Sequence, residues 1–340
     1  MPTEEITATR AVAMKINSSL STDTRYMYFN GLSYQPCEKI SMISKNEFEY
    51  KVFLGTYFTK QDAFILQAVH ELGYATFDST LSWLALQKKK FPKKAILEYT
   101  KNSLSKRMQF LARQGLLAEY DYITQNKMVE HVFVCHSYGH LYFRNQLDCF
   151  SLYDQSALCR TEIEIFKRLA SNVVSLAFAN YPNTKGISVN NRSVSNKTDN
   201  GIGYIYGLIN CELEDKKMNY VVEPVYFSYD PQISTEEEWM DKLENRLNSL
   251  VTSVNKLNED IPTKVIFCFE NKKGISKFTE MISTRDLEFF KNCLYTSENV
   301  VNRSNGDLSQ CFLSLRYSDE KPQFRPVLKH WTFEKKEVMQ

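Results

Sequence analysis

The chain has 340 residues, a formal net charge of +2 and 43% hydrophobic residues. This apolar content excludes an intrinsically disordered chain, and the length is sufficient for two domains of ordinary size. The sequence has neither the pattern of a secretory signal at its start nor an apolar run that could span a bilayer, so we expect a cytoplasmic protein without a membrane partner.

Cysteine and histidine give no pattern typical of a metal site. The eight cysteines occur singly, without a Cys-x-x-Cys pair, and several lie within apolar runs. They predict buried thiols in a reducing compartment. His131, His136 and His140 have a spacing that would suit a metal, but no fourth ligand accompanies them. We therefore interpret them as structural or surface residues and expect no metal and no other cofactor.

Residues 1–55 are predicted to form an N-terminal arm whose first part, about twenty residues, is flexible. Two segments of this arm, residues 25–29 and 48–54, are rich in strand-forming side chains. They indicate either short strands or a loop packed on the domain that follows, and the pattern is compatible with both.

Two helices are predicted next, at the start of a domain that spans residues 56–150. Thr59 and Asp62 form a start similar to a capping box, and an apolar face continues from there to Gly73. Asp78 is the predicted N-cap of a second helix that runs to about residue 88. Pro92 interrupts the pattern before a third helix begins.

The third helix, within residues 101–117, is the most informative segment. On a helical wheel it has one narrow apolar face and, opposite to it, one narrow face of long hydrogen-bonding side chains. The apolar face consists of Leu104, Met108 and Leu111. The opposite face consists of Asn102, Lys106, Gln109 and Arg113. This arrangement suits a helix that lies in the major groove of DNA, although an ordinary amphipathic surface helix produces the same pattern.

Two segments rich in strand formers follow the third helix and flank a turn at residues 124–127. They cover residues 116–122 and 128–135. Three helices followed by a two-stranded hairpin is the element order of a winged helix-turn-helix domain. We therefore predict a winged-helix DNA-binding fold for residues 56–150.

Positive charge is concentrated in the same region. Residues 88–113 contain nine basic residues and one acid, Glu98, although the whole chain is nearly balanced. Such an excess attracts phosphates and makes affinity depend steeply on salt, whereas the alternative is a solvated basic loop. We predict contact with double-stranded DNA, with Ser103 and Ser105 on backbone phosphates and Lys127 at the wing tip. The candidate DNA-binding residues are Lys93, Lys94, Lys101, Asn102, Ser103, Ser105, Lys106, Arg107, Gln109, Arg113 and Lys127.

Residues 151–300 predict a second domain of α/β type, followed by a C-terminal tail at residues 301–340. The first half of this domain is predicted to contain a helix over residues 160–170, a strand over 173–178, an exposed loop over 183–200 and strands over 203–211 and 220–227. The second half is predicted to contain a long helix capped by Ser234 or Thr235, a buried strand over 264–269 and a helix–strand pair to about residue 295.

This order, a helix, three strands, a helix and a strand, is the core order of the restriction-endonuclease-like fold. Nucleases of this fold hold Mg²⁺ through clustered carboxylates and carry an acid, any residue and then lysine on the third strand. The matching position here is Glu223-Pro224-Val225, without the lysine, and residues 203–210 contain no acid. We therefore predict a catalytically degenerate domain without catalytic residues, with a metal-dependent nuclease as an alternative.

The combination of the two domains resembles the replication-relaxation family of plasmids and conjugative elements. The resemblance covers roughly residues 57–295 and rests on Ser-Leu-Ser-Lys-Arg-Met at residues 103–108, on Gly-Leu-Leu at residues 115–117 and on the endonuclease-like order behind them. It implies binding to duplex DNA near an origin of replication or transfer, with a relaxase or a replication initiator as partner. The basic insertion at residues 88–94 and the Glu223-Pro224-Val225 strand depart from the family pattern.

We therefore expect a non-enzymatic DNA-binding accessory protein of plasmid replication or conjugative transfer. One alternative is a transcriptional regulator whose C-terminal domain senses a ligand or mediates dimerisation. Another is a winged helix that binds an acidic protein. No coiled-coil seam enforces a dimer, but many winged-helix proteins bind DNA as dimers, so a homodimer is compatible with the sequence.

Overall fold

The structure is a computed structural model in which two compact units are distinguished. One comprises residues 1–15 and 23–169, and the other residues 16–22 and 170–340. The residues described are 12–14, 25–29, 44–55, 57–93, 96–123, 129–147, 162–179, 184–188, 192–198, 201–213, 216–226, 235–269, 272–282, 287–304, 308, 311–318 and 321–328. Helices and strands occur in both units, so the chain is a mixed α and β protein, as expected. Within the described ranges, no helix is both long and apolar enough to cross a membrane.

Helices dominate the first unit. They are α1 (Lys45–Leu54), α2 (Lys60–Leu72), α3 (Phe77–Lys90), α4 (Lys101–Arg113) and α5 (Ser137–Leu147). The predicted capping box of α2 is confirmed, because the Thr59 backbone N–H donates to the Asp62 carboxylate at 2.6 Å. The N-cap of α3 is Thr76 and not Asp78, because the side chains of Thr76 and Ser79 cap each other's backbone N–H groups.

Residues 48–54, predicted as a strand or loop, lie in helix α1. The Ser44 hydroxyl accepts a hydrogen bond from the Glu47 N–H at 3.2 Å and starts this helix. Gly55, in the left-handed region with φ +65°, ends it. Local caps at both ends therefore override the strand propensity of the aromatic residues between them.

An antiparallel sheet accompanies these helices. Its described strands are, in spatial order, β1 (Val12–Met14), β2 (Arg25–Phe29), β3 (Leu117–Ile123) and β4 (Val129–Cys135). Strands β3 and β4 form the predicted hairpin, and β2 pairs with β3 so that Tyr26 lies opposite Ile123. Ala75, between α2 and α3, exchanges backbone hydrogen bonds of 2.9 and 2.8 Å with Phe133 of β4. These bonds tie the helices to the hairpin.

The helices from residue 162 onward are α6 (Glu162–Ala179), α7 (Glu236–Asp260), α8 (Lys272–Ile282), α9 (Leu287–Lys291) and α10 (Glu298–Arg303). The strands are β5 (Thr184–Ser188), β6 (Arg192–Thr198), β7 (Gly201–Ile205), β8 (Gly207–Leu213), β9 (Lys216–Val225), β10 (Thr263–Phe269), β11 (Leu294–Ser297), β12 (Leu313–Ser318) and β13 (Lys321–Leu328).

A mixed sheet forms the centre of the second unit. The described strands follow the order β13-β12-β11-β10-β9-β8-β5. Strands β9, β10 and β11 are parallel, and β8 runs antiparallel to both of its neighbours. The prediction of a buried central strand is confirmed by β10, in which every side chain from Val265 to Phe269 is buried. The predicted cap of the long helix is also confirmed, since the Thr235 hydroxyl accepts from the Glu238 N–H.

Two predictions for this region are wrong. Residues 173–178 continue helix α6 instead of forming a strand. This stretch contains one polar side chain, Ser175, and is mostly buried, so its sequence lacks the polar face that marks a helix. Residues 183–200 include strands β5 and β6 instead of an exposed loop. Pairing of β5 with β8 outweighs the loop-like content of Asn, Ser and Lys, since strand formation depends strongly on context.

Helix α6 lies close to strand β8 at Gly207. A Cβ atom added there would lie 2.3 Å from the Ser171 Oγ and 3.3 Å from the Ser175 Oγ. We expect Gly207→Ala to lower the free energy of unfolding by about 1–3 kcal/mol, because overpacking forces the backbone apart. Urea denaturation measures this loss. The double variant Gly207→Ala with Ser171→Ala should recover most of it, and an equal loss in both variants would contradict this contact as the cause.

Candidate nucleic-acid interface

Helix α4 has the two-faced character expected from its sequence. Leu104, Met108 and Leu111 are fully buried. On the opposite side, Asn102, Lys106 and Arg113 are exposed and Gln109 is half-buried. The helix ends as predicted before Gly115, which has a φ of +77° and allows the chain to turn into β3. A core-facing stripe therefore supports a row of polar and basic side chains in solvent.

The hydroxyl groups at the start of α4 are engaged within the helix. Ser103 Oγ accepts from the Thr100 N–H and donates to the Thr100 carbonyl oxygen, both at 3.0 Å. Ser105 Oγ donates to the Asn102 carbonyl oxygen at 2.9 Å. A hydroxyl group has one proton, and a phosphate oxygen needs a donor. Ser103 and Ser105, predicted as phosphate contacts, would have to break these bonds to donate to DNA.

Arg107 lies at the edge of the buried face of α4 and holds a buried acid. Its Nε and one terminal nitrogen each donate to an oxygen of Asp62 at 2.6 Å, and the same terminal nitrogen donates to the Tyr57 carbonyl at 2.8 Å. The guanidinium also lies 4.6 Å from the ring centroid of Phe110. Hydrogen bonding to Asp62 raises the pKa of Arg107 above its ordinary value. The contacts give Arg107 a structural role.

Asp62 connects the start of α2 to α4. Its side chain is completely buried, and it both caps α2 through Thr59 and binds Arg107 of α4. Tyr142 of α5 donates to the Thr59 carbonyl oxygen at 3.3 Å, beside this cap. The position of α4 relative to α2 therefore depends on one carboxylate. The ion pair between Asp62 and Arg107 thus supports α4 from the edge of its buried face.

The remaining candidate cations differ in their surroundings. Lys101 is exposed and forms an ion pair of 2.8 Å with Asp78 of α3. Lys93 is exposed, as are Lys89 and Lys90 at the end of α3. Lys94 and Lys127 lie outside the described residues. We call Asn102, Lys106 and Arg113, together with Lys89, Lys90 and Lys93, the basic surface.

In the second unit, the predicted remnant of a nuclease site is Glu223 on β9. Its side chain is only 1% exposed, and both carboxylate oxygens accept hydrogen bonds from Arg246 of α7, at 2.9 and 2.6 Å. The Arg246 guanidinium also lies 5.3 Å from the ring centroid of Tyr206. Burial alone would lower the pKa of Arg246, but the charge of Glu223 and its hydrogen bonds raise it overall. A permanent cation therefore occupies the position next to this carboxylate.

The three histidines singled out in the sequence have separate neighbours. His131 Nδ1 lies 2.9 Å from a Glu119 oxygen, and His136 Nδ1 lies 3.1 Å from the Gly115 carbonyl oxygen. The ring of His140 packs edge-on against His70. In the part of the chain that the structure describes, no group of three or more His, Cys, Asp or Glu side chains could hold a metal ion.

Sequence reasoning missed both buried ion pairs. Arg107 lies three residues after Leu104, and Arg246 three residues after Leu243, so each arginine lies at the edge of an apolar stripe. A charged residue in that position must reach solvent or find a buried partner. This spacing is the signal that could have separated Arg107 from the exposed cations of α4.

Comparison with known proteins adds no relative: no family model matches the chain, and no curated protein or solved structure is similar to it.

Loss of the Asp62 charge should destabilise the first unit strongly. We expect Asp62→Asn to lower the free energy of unfolding by about 3 kcal/mol or more, because Arg107 would keep a half-buried charge without its counter-ion. Chemical denaturation followed by circular dichroism measures this change. Glu98→Gln is the matched control, since it removes an exposed pair with Lys88 and should leave the denaturation midpoint almost unchanged. Equal effects of the two variants would contradict the role assigned to Asp62.

Proposed function

We propose that the protein binds double-stranded DNA through a winged-helix domain and acts, without enzymatic activity, as an accessory factor of plasmid replication or conjugative transfer. The observation that carries this proposal is the exposed row Asn102, Lys106 and Arg113 on a helix whose opposite face is fully buried. Such a helix can enter the major groove without exposing apolar surface.

The element order of the first unit supports the winged-helix assignment. Helices α2, α3 and α4 precede the β3–β4 hairpin, and the Ala75–Phe133 bridge adds a short strand position between α2 and α3. In this arrangement α4 is the recognition helix and the hairpin is the wing. The Asp62–Arg107 pair fixes the recognition helix before DNA arrives, which lowers the entropy lost on binding.

The side chains of the basic surface, together with Gln109 on the same face of α4, divide into two roles. Asn102 and Gln109 have amide groups that can pair with adenine edges, and Lys106 and Arg113 can donate to guanine or to phosphates. Lys89, Lys90 and Lys93 supply charge for phosphate contacts, which position the protein without reading sequence. Arg107 is not part of this surface, since its guanidinium is bound to Asp62.

The sheet of the second unit supports a degenerate endonuclease-like domain. Five neighbouring strands of this sheet follow one another in space in the order β5, β8, β9, β10 and β11. Strand β8 is antiparallel to the other four, and helix α7 connects the parallel strands β9 and β10. Arg246 binds both oxygens of Glu223, the acid closest to a nuclease motif. An arginine at this position repels Mg²⁺, so we assign the domain a role in docking or dimerisation.

The proposed place of action is an origin of replication or transfer in the cytoplasm. A relaxase or a replication initiator is the proposed protein partner. A homodimer would present two recognition helices to two half-sites, separated by about one turn of the DNA.

Removing two cations from the exposed face of α4 tests the proposed binding mode. Lys106→Ala with Arg113→Ala should weaken duplex binding at least about tenfold and reduce the slope of log affinity against log salt by about two, because two phosphate or base contacts are lost. Fluorescence anisotropy with labelled duplexes tiled across the native genetic neighbourhood, over a salt series, measures both quantities.

The matched control removes two exposed cations of α7, Lys242→Ala with Lys256→Ala, and should leave the affinity unchanged. Unchanged affinity in the α4 variant would reject the assignment. Tight binding to an origin tile supports the accessory role, whereas tight binding to a promoter tile would favour a transcriptional regulator.

Nuclease activity is tested with supercoiled plasmid and Mg²⁺. We expect no Mg²⁺-dependent nicking by the purified protein, because the Glu223 carboxylate is paired with Arg246. Any background nicking should be the same in Glu223→Gln. Mg²⁺-dependent nicking that disappears in this variant would establish the nuclease alternative.

A further inference from the structure

The connection between α3 and α4 exposes two large apolar side chains. Phe91, directly after α3, is 47% exposed, and Leu97, shortly before α4, is 56% exposed. Large apolar side chains at a protein surface are common individually. Here two of them occur in one short connection, and their backbones are held in place.

The backbone at both positions is anchored. The Phe91 N–H donates to the Gln87 carbonyl oxygen at 2.8 Å and caps α3, and the Leu97 N–H donates to the Gln61 side chain at 3.0 Å. Ile96, next to Leu97, is buried. An anchored backbone lowers the entropy that these two positions lose on binding.

The charge around Phe91 is strongly positive. Lys89, Lys90 and Lys93 are exposed beside Phe91. Glu98 is the only acid between residues 88 and 100 of the sequence, and it is paired with Lys88. A partner with the complementary chemistry has closely spaced negative charges around a flat apolar interior. Duplex DNA has this chemistry, because phosphates flank stacked bases.

A second exposed apolar group of the first unit has different surroundings. Tyr50 and Phe53 on α1 are exposed, but the same helix carries the exposed acids Glu47 and Glu49. The two acids balance Lys45 and Lys51 of the same helix, and Glu47 is paired with Lys51, so α1 has no excess of positive charge. The α3–α4 connection, in contrast, combines exposed apolar side chains with an excess of lysine.

We infer that Phe91 is a wedge that inserts between adjacent base pairs of the duplex bound by α4, with Leu97 against the sugar edge beside it. This inference rests on the proposed DNA-binding function and adds a deformation of the DNA to it. Insertion of an apolar side chain unstacks a base step and bends the duplex, and neighbouring lysines neutralise phosphates on either side. The substrate preferred by such a wedge is a duplex with a deformable pyrimidine–purine step such as TpA.

The test uses the full chain and duplexes that carry 2-aminopurine at a TpA step and a donor–acceptor dye pair at the ends. The wild type at saturation should raise 2-aminopurine fluorescence, because the base is unstacked, and increase energy transfer, because the ends approach. It should bind the TpA duplex about fivefold or more tightly than a duplex with GpC at the same position, since the GpC step resists deformation. Phe91→Ala should remain bound to the TpA duplex, with affinity within about tenfold of the wild type, but lose both signals.

Two further variants separate the wedge from a change in folding or charge. Phe91→Leu keeps an apolar side chain and should restore most of both signals. Phe53→Ala removes the exposed phenylalanine of α1 and should behave like the wild type. Signals in Phe91→Ala equal to those of the wild type, or no signal from saturated wild type, would overturn the wedge and leave the proposed function intact. Absence of binding to any duplex at about 50 mM salt would overturn both proposals.

Discussion

The buried carboxylate of Asp62 is the constraint on which the candidate interface depends. A fully buried negative charge persists only where hydrogen bonds and a counter-ion compensate for the lost hydration. Thr59 and Arg107 supply that compensation from the start of α2 and from the middle of α4. The Asp62 carboxylate therefore caps the start of α2 and also helps to fix the position of α4. A half-buried cation, Arg107, therefore helps to position the exposed cations of α4.

The second unit uses the same chemistry at Glu223 and Arg246. In both units a planar guanidinium binds the two oxygens of a nearly buried carboxylate, a geometry that lysine cannot reproduce. In the first unit this pair supports a surface proposed to bind DNA. In the second it neutralises the acid that the proposed endonuclease-like assignment would give to a metal. The same type of pairing thus supports the proposed DNA binding and opposes metal-dependent cleavage.

Local patterns predicted the parts of the fold that local physics decides. The α4 stripe, the Thr59–Asp62 cap, the β3–β4 hairpin and the buried strand β10 all follow from periodicity, capping and turn chemistry. The second half of helix α6 and strand β5 were missed because burial on nearly every side and long-range pairing leave no periodic signal. The roles of Arg107 and Arg246 were missed for a related reason. Their partners lie 45 and 23 residues away, and a single sequence does not reveal which distant residues meet.

Strand β2 is synthesised long before β3, the strand with which it pairs. Tyr26 pairs with Ile123, which the ribosome adds 97 residues later. At typical rates of translation, β2 is made roughly 5 to 20 seconds before its neighbour exists. Throughout that interval the backbone groups of β2 that pair with β3 have no strand to bind, and unpaired strand edges are a feature through which chains associate. The sheet of the first unit can therefore be completed only after β3 has been made.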